Sequence, residues 1–499
     1  MAAAEHPGPR TYGGWRRRRP MGLLGFGPAG TLALLAAVIG VLASVAVSPR
    51  AALYIAPPVL AGIGVSLTRV GGMPLATAAL IRVRWWRAVA KNWTSYRAGI
   101  IVEHPRAWQL PGVLAATMLV SAEDGYGGRF GLVWDRHTGY LTATIRVTPA
   151  SAWLADRAEA DTWVASWGAW LASLGHIPSV RWVSVTVDTA PEPGTTLADA
   201  VAAALSPDAP EAARQILTAV AAAAPEAAAD TAVRVSVTFD PRADPARPAD
   251  LTAAAAAVTR SLHGMTALLG TCGVTVDGLA TAADLAGAVR TAFDPAARGE
   301  VSRILAADRR GQVPDGALTW LDAGPVGAVE LADAYQCDSG LSVTWAWHEA
   351  PRQNVTSGVL ARLAGPGPWP KRLTLQYRPF PAAAATRALE QEVNAAGFRD
   401  AYRRRTGRDS TARDNYDALR AVQAAAEEAA GAGVVLVGLY VTVTVTSAGD
   451  LHRAAAATEA AAEGSRIRLR RLFFSQAAGF AATLPCGVCP PALSRRWPR

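Results

Sequence analysis

The sequence predicts an α+β protein: a two-helix transmembrane hairpin near the N-terminus, then a body of two α+β sandwich lobes. Three observations predict it. Two uncharged apolar stretches, Thr31–Val47 and Ala51–Thr68, stand close together, separated by Ser48-Pro49-Arg50. Basic charge is concentrated at the same end. Residues 1–100 hold twelve of the 49 Lys and Arg and one of the 40 Asp and Glu, which leaves 37 basic and 39 acidic residues for the rest of the 499. Beyond residue 110, strand-like alternation and helix-like periodicity take turns along the chain.

The two apolar stretches are 17 and 18 residues long, the lower end of what crosses a bilayer core of about 30 Å. Pro57-Pro58 bends the second one, which membrane helices tolerate. A cleaved signal peptide is the competing reading, with Arg16, Arg17, Arg18 and Arg19 as its basic head. The second apolar stretch follows at once and favours the hairpin. Arg16 to Arg19 precede the first span; Arg69, Arg82, Arg84, Arg87, Lys91 and Arg97 follow the second; Arg50 stands between. Positive residues stay on the cytoplasmic side. The expectation is a two-pass protein of the inner cell membrane with both termini and the body cytoplasmic. Four cysteines in 499 residues are no disulfide framework, which fits a reducing compartment.

Residues 1–28 then form a basic N-terminus and 29–70 the hairpin. Residues 71–100 form an interfacial helix, where Arg82, Arg84, Arg87 and Lys91 interleave with Trp85 and Trp86. That mixture suits the lipid headgroup zone, and membrane lipid is its expected partner. Nucleic acid is another use of the same chemistry.

The first lobe is expected over 101–296. Gly128–Val147 reads as two strands around the loop Asp135–Gly139. Ser151–Gly175 reads as a helix with Trp163, Trp167 and Trp170 on one face, a packing stripe against a sheet. Val180–Thr189 and Arg234–Asp240 are strands, with helical Ala-rich text between them. Leu251–Leu269 is a helix, Gly273–Leu279 a strand and Thr281–Asp294 a helix. Residues 297–338 are weakly patterned and read as a linker. The second lobe, 339–485, holds strands Leu341–Ala350, Lys371–Phe380 and Gly433–Thr446, a long helical stretch broken near Tyr402–Asp414, a helix Asp450–Ser465, a strand Arg466–Leu472 and a last short helix. Each order suits a ferredoxin-like sandwich, with helices on one face of an antiparallel sheet. Residues 486–499 are a tail.

Catalytic signatures are missing from the text. A phosphate cradle needs a lysine after glycine, yet Ala precedes Lys91 and Pro precedes Lys371. HExxH and GxSxG do not occur. The most site-like grouping, His348-Glu349 beside Trp345 and Trp347, reads as sheet surface. Arg403, Arg404, Arg405 and Arg408 could contact phosphate or an acidic partner, or form a solvated helix-hairpin tip. Cys486 and Cys489 supply half the ligands of a zinc site, so metal could be held only between chains. Pro490-Pro491 oppose the helix that a redox CxxC opens, and two small thiols in a turn is the plainer reading. No enzyme activity and no cofactor are expected.

Several long, colinear stretches resemble a known family: TYGGWRRRR, GLLGFGPAG, RVRWW, EHPRAWQLPG, SAEDGYGGRFGLVWDRHTGYLTATIRV, VTVDTAPEPG, TAFDPAARGE, VTWAWHEAPRQ and SRIRLRRL followed by SQAAGFAATLPCG. They are similar, over almost the full length, to actinobacterial membrane proteins carried by integrative conjugative elements. The hairpin looks like the small PrgI-type subunit of conjugation machines. The body resembles the non-catalytic N-terminal region of conjugative type IV secretion ATPases. The resemblance implies a scaffold that docks a separately encoded secretion ATPase and other channel subunits, within an oligomeric complex, with at most indirect or weak DNA contact. The chain also resembles EccE proteins of type VII secretion, with two N-terminal spans and a cytoplasmic α/β body.

Overall fold

The computed structural model describes residues 11–13, 15, 28–48, 50, 54, 57, 59, 62, 68–70, 73–98, 109–150, 155–191, 201–202, 204–206, 208–223, 229–310, 318–349, 351, 353–381, 384–387, 390, 419, 422–428, 431 and 433–493. They fall into two compact units. One comprises Met1–Gly13, Ser95–Leu389 and Gln423–Arg499; the other comprises Gly14–Thr94 and Glu390–Val422.

The smaller unit contains helix α1 (Pro28–Val47), a short antiparallel ladder of β1 (Arg69–Val70) with β2 (Met73–Pro74), and helix α2 (Leu75–Ala90). α1 carries no charge over its 20 residues, and its side chains are described for only part of that length. Among the described residues no helix is long and apolar enough to cross a membrane. The expected two-helix transmembrane hairpin is therefore not supported by the fold, and most of its second span lies outside the described residues.

The larger unit is built on one antiparallel sheet of thirteen strands. In chain order these are β3 (Ser95–Arg97), β4 (Thr117–Glu123), β5 (Arg129–Asp135), β6 (Tyr140–Pro149), β7 (Val180–Pro191), β8 (Ala229–Phe239), β9 (Val274–Leu279), β10 (Gly327–Glu330), β11 (Tyr335–Cys337), β12 (Gly340–Glu349), β13 (Lys371–Pro379), β14 (Val435–Val445) and β15 (Arg468–Arg471). Their spatial order is β3-β10-β11-β12-β14-β13-β7-β8-β6-β5-β4, with β15 added on β12 and β9 on β6.

The α+β class is as expected; the division into two sandwiches is not. β7 and β13 pair in register from Thr189↔Lys371 to Val183↔Tyr377 and weld the two predicted lobes into one sheet. Proline stands only at the last residue of each strand. Nothing in either strand blocks its ladder, so neither edge is left open.

The segment read as a linker is also structured. It supplies a helix over Arg298–Arg309 and the strands β10 and β11, which carry the sheet toward its β3 edge. Gly, Asp and Ala dilute its apolar pattern, so periodicity missed it. Strand β4 was missed for the same reason: Ser121 and Glu123 interrupt a short edge strand.

Layers cover the sheet on both faces. On one face α3 (Arg157–Leu174) and α4 (Leu251–Leu269) pack on Leu141, Ile145, Val183, Val235 and Val237 through Trp170, Leu174, Val258, Leu262 and Met265. Trp167 and Trp170 stack at 4.9 Å, and the Trp170 indole N–H donates to the Met265 carbonyl at 3.1 Å. The tryptophan stripe is thus core packing. Farther along, α7 (Leu451–Gly464) covers Val343, Trp345, Val443 and Val441. The α4 start coincides with a cap: the Asp250 carboxylate accepts from Ala253 N–H at 2.7 Å. The opposite face is covered by α5 (Ala282–Phe293), α6 (Arg298–Arg309) and the C-terminal segment that begins with α8 (Gln476–Ala482), around Val289, Phe293, Phe480, Leu484 and Cys486. α5 opens on a capping box between Thr281 and Asp284.

Candidate functional site

Among the described residues, each unit holds one arrangement of polar side chains that stands out. In the smaller unit this is α2. Ala78, Ile81, Trp85 and Ala88 are half-buried and recur at spacings of three and four, which defines one covered face. Arg82, Arg84, Trp86 and Arg87 are exposed, as is Lys91 just past the helix. The Arg82 guanidinium lies 5.8 Å from the Trp86 ring centre, and the Lys91 ammonium lies 5.0 Å from that of Trp93. Trp86 is 58% and Trp93 67% exposed. Cations paired with open indole faces suit the depth where a bilayer turns polar. Of the predicted interface residues, the structure brings Arg82, Arg84, Trp85, Trp86, Arg87 and Lys91 together, with Trp85 on the covered side. Arg16, Arg17, Arg18 and Arg19 lie outside the described residues, as do Arg403, Arg404, Arg405 and Arg408.

In the larger unit the notable feature is the second face of the sheet. Because side chains alternate along a strand, VSVTVD in β7, VRVSVTF in β8 and YVTVTV in β14 put valine on one face and hydroxyls on the other. The hydroxyls pair across strands. Thr142 bonds Thr238 at 3.0 Å, Thr144 bonds Ser236 at 2.8 Å, and Thr186 bonds Thr374 at 2.9 Å. Ser342 with Thr444 and Thr344 with Thr442 continue the array, each at 2.9 Å. Such pairs stabilise a sheet by roughly 0.2–1 kcal/mol each. All of these side chains are buried.

What buries part of the array is the C-terminal segment. The Gln476 carboxamide oxygen accepts from the Thr344 N–H at 2.7 Å, and the Thr483 hydroxyl donates to Thr442 at 3.1 Å. The Gln376 amide on β13 donates to the Val488 carbonyl at 2.7 Å. Gly487 sits in the left-handed region at φ +66, against Thr142 and Thr238. Residues 486–489, read from sequence as part of a tail, are therefore a closing piece of the core. Burial pushes the Cys486 thiol up and the Cys489 thiol up to about 11, so both are neutral near pH 7. All four cysteines are free, and among the described residues no group of three His, Cys, Asp or Glu could hold a metal ion.

Near the β7–β13 seam the hydroxyls give way to charge. Arg234 Nη1 and Arg298 Nη2 each lie 3.4 Å from an oxygen of Asp188, and Arg298 Nη1 lies 3.0 Å from Asp230. Arg372 stands opposite Asp188 in the ladder. Its Nε donates to Thr483 at 3.3 Å and its guanidinium covers the Phe480 ring at 4.8 Å. Burial works to raise the Asp188 carboxyl, but Arg298, Arg234 and Arg372 overcome it and hold it below the ordinary value. Burial pushes Arg372 down to about 10, with Asp188 opposing.

Sequence reasoning missed this cluster because its members come from four segments. The signal was Asp and Arg inside otherwise apolar alternation: VTVDT, AVRVSV and KRLTL. The His348-Glu349 grouping closes β12, where Glu349 lies 3.6 Å from Arg468. No family model matches the chain, and no curated protein matches it.

Proposed function

We propose that the chain is a membrane-anchored, non-catalytic scaffold of a conjugative, type IV-like DNA-transfer machine. It docks a separately encoded secretion ATPase at the inner membrane. The observation that carries the membrane reading is the sequence of elements in the smaller unit. An uncharged 20-residue helix precedes a helix that exposes Arg82, Arg84, Trp86 and Arg87 together. The Ala51–Thr68 stretch completes the hairpin in this reading, and the charge bias leaves the body on the cytoplasmic side. The larger unit is the docking platform, and the likeness of SQAAGFAATLP to the boundary before a motor domain supports an ATPase as the partner.

Co-expression of the full chain with the ATPase encoded beside it, followed by extraction in mild detergent and affinity purification of the chain, tests both parts. Retention of the ATPase, with the chain found in the membrane fraction after alkaline washing, is the expected result. Release of the chain by alkaline washing overturns the anchor. ATP hydrolysis by the purified chain alone overturns the non-catalytic role. A type VII, EccE-like component would have the same architecture, and co-purification with a type VII rather than a type IV ATPase would identify it.

A further inference from the structure

Among the described residues, the charge around Asp188 does not balance. Three guanidinium groups, those of Arg234, Arg298 and Arg372, act on this one carboxylate. Arg298 shares a second acid, Asp230, whose side chain is 43% exposed. Asp188 and Arg372 are 4% and 3% exposed. Among the described residues, Arg298 Nε and Arg372 Nη2 are buried and have no hydrogen-bond acceptor. The other contacts of Arg372, the Thr483 hydroxyl and the Phe480 ring, are neutral.

A buried cation with an orphaned N–H is costly. It is relieved by losing its proton or by gaining an anion, and arginine is the side chain least able to lose a proton. The two groups with orphaned N–H atoms also repel each other, since Arg298 is among the charges that disfavour the protonated form of Arg372. An anion beside both would remove that repulsion and accept both donors.

We propose that Arg298 and Arg372 hold a small inorganic anion, of the size of chloride, against the hydroxyl face next to Asp188. A monatomic anion accepts from any direction and needs the least room, which suits a guanidinium as enclosed as that of Arg372. Arg298 comes from α6, Arg372 from the second half of the sheet and Thr483 from the C-terminal segment. The anion therefore ties together three parts of the chain, and chloride stabilises the assembled larger unit.

The full chain in detergent is melted in sodium chloride and in sodium isethionate at equal ionic strength, over a range of concentrations. The melting temperature rises with the logarithm of chloride concentration, as mass action requires, and does not rise with isethionate. Arg372→Met loses the chloride-specific rise. Asp188→Asn removes the competing negative charge, so it reaches half-effect at several-fold lower chloride, a direction that simple screening does not produce. Should Arg372→Met fail to fold, crystals of the unchanged chain grown in bromide decide the matter through an anomalous peak beside Arg372 Nη2. Identical melting in the two salts, an undiminished chloride effect in Arg372→Met, or no bromide peak overturns the site.

Discussion

Replacing Gly487 by alanine should dislodge the C-terminal segment from the sheet. Two costs add. Gly487 has φ +66, a conformation that costs an L-residue with a side chain roughly 1–2 kcal/mol. A Cβ there would also stand 2.0 Å from Thr142 Oγ1, 2.7 Å from Thr238 Oγ1 and 3.0 Å from Thr142 Cβ. Turning the hydroxyls away breaks the Thr142–Thr238 bond, worth about 1 kcal/mol; leaving them in place overpacks the site, at about 1–3 kcal/mol. The total is about 2–5 kcal/mol.

Gly112 separates the two costs. It also has a positive φ, of +61, but nothing lies within 4 Å of its Cβ position. Gly112→Ala should therefore lose only the conformational part. The assay is denaturant unfolding of the full chain, combined with maleimide labelling of native protein and mass analysis of the tryptic peptides. Cys486 and Cys489 are 4% and 2% exposed, so in the unchanged chain they should label slowly. In Gly487→Ala they should label much faster, and in Gly112→Ala they should not. A Gly487→Ala chain within about 0.5 kcal/mol of the original, the usual range for an inconsequential substitution, would refute the reasoning.

Asp188→Asn in chloride-free buffer leaves three guanidinium groups around a neutral amide and should cost about 3–5 kcal/mol; adding Arg372→Met should recover part of it, and urea titration of the single and double variants measures both. Because the folded carboxyl of Asp188 lies below its ordinary value, its contribution is fully present above the unfolded pKa of about 3.9. It is lost as pH falls through the lower folded value, so stability of the unchanged chain should drop across that acid range with a step that Asp188→Asn lacks. A synthetic peptide covering 71–98 should bind anionic vesicles more tightly than neutral ones. Each change of Arg82, Arg84, Arg87 or Lys91 to Gln should weaken it by about 1 kcal/mol, near fivefold; equal binding to both vesicle types would count against a headgroup role.

Much of the fold was legible, and specific residues show why. The helix Leu251–Leu269 was bounded correctly because its apolar spacing is regular and Asp250 caps it. The strands β7, β8, β12, β13 and β14 were found through their alternation. Alternation does not say which edge a strand offers to which neighbour, so the β7–β13 seam was invisible. Nor does it say what lies over the polar side. Thr142, Ser236 and Thr374 look like the wet face of a half-buried sheet, and only the placement of distant segments such as 475–489 makes them interior. The basic and aromatic content of α2 was plain in sequence; which tryptophan turns inward was not.

The hydroxyl face has a bearing on how the chain is made. Every strand of the sheet precedes Ser475, so during synthesis the strands that carry the threonine array are made before the segment that closes over them. Apolar surface exposed while folding is incomplete invites aggregation. Threonine keeps the β-branched shape that suits a strand, yet its hydroxyl can bond to water until Gln476, Thr483 and Val488 arrive. A valine-covered face would have been no harder to bury at the end, but it would have been hazardous to leave waiting.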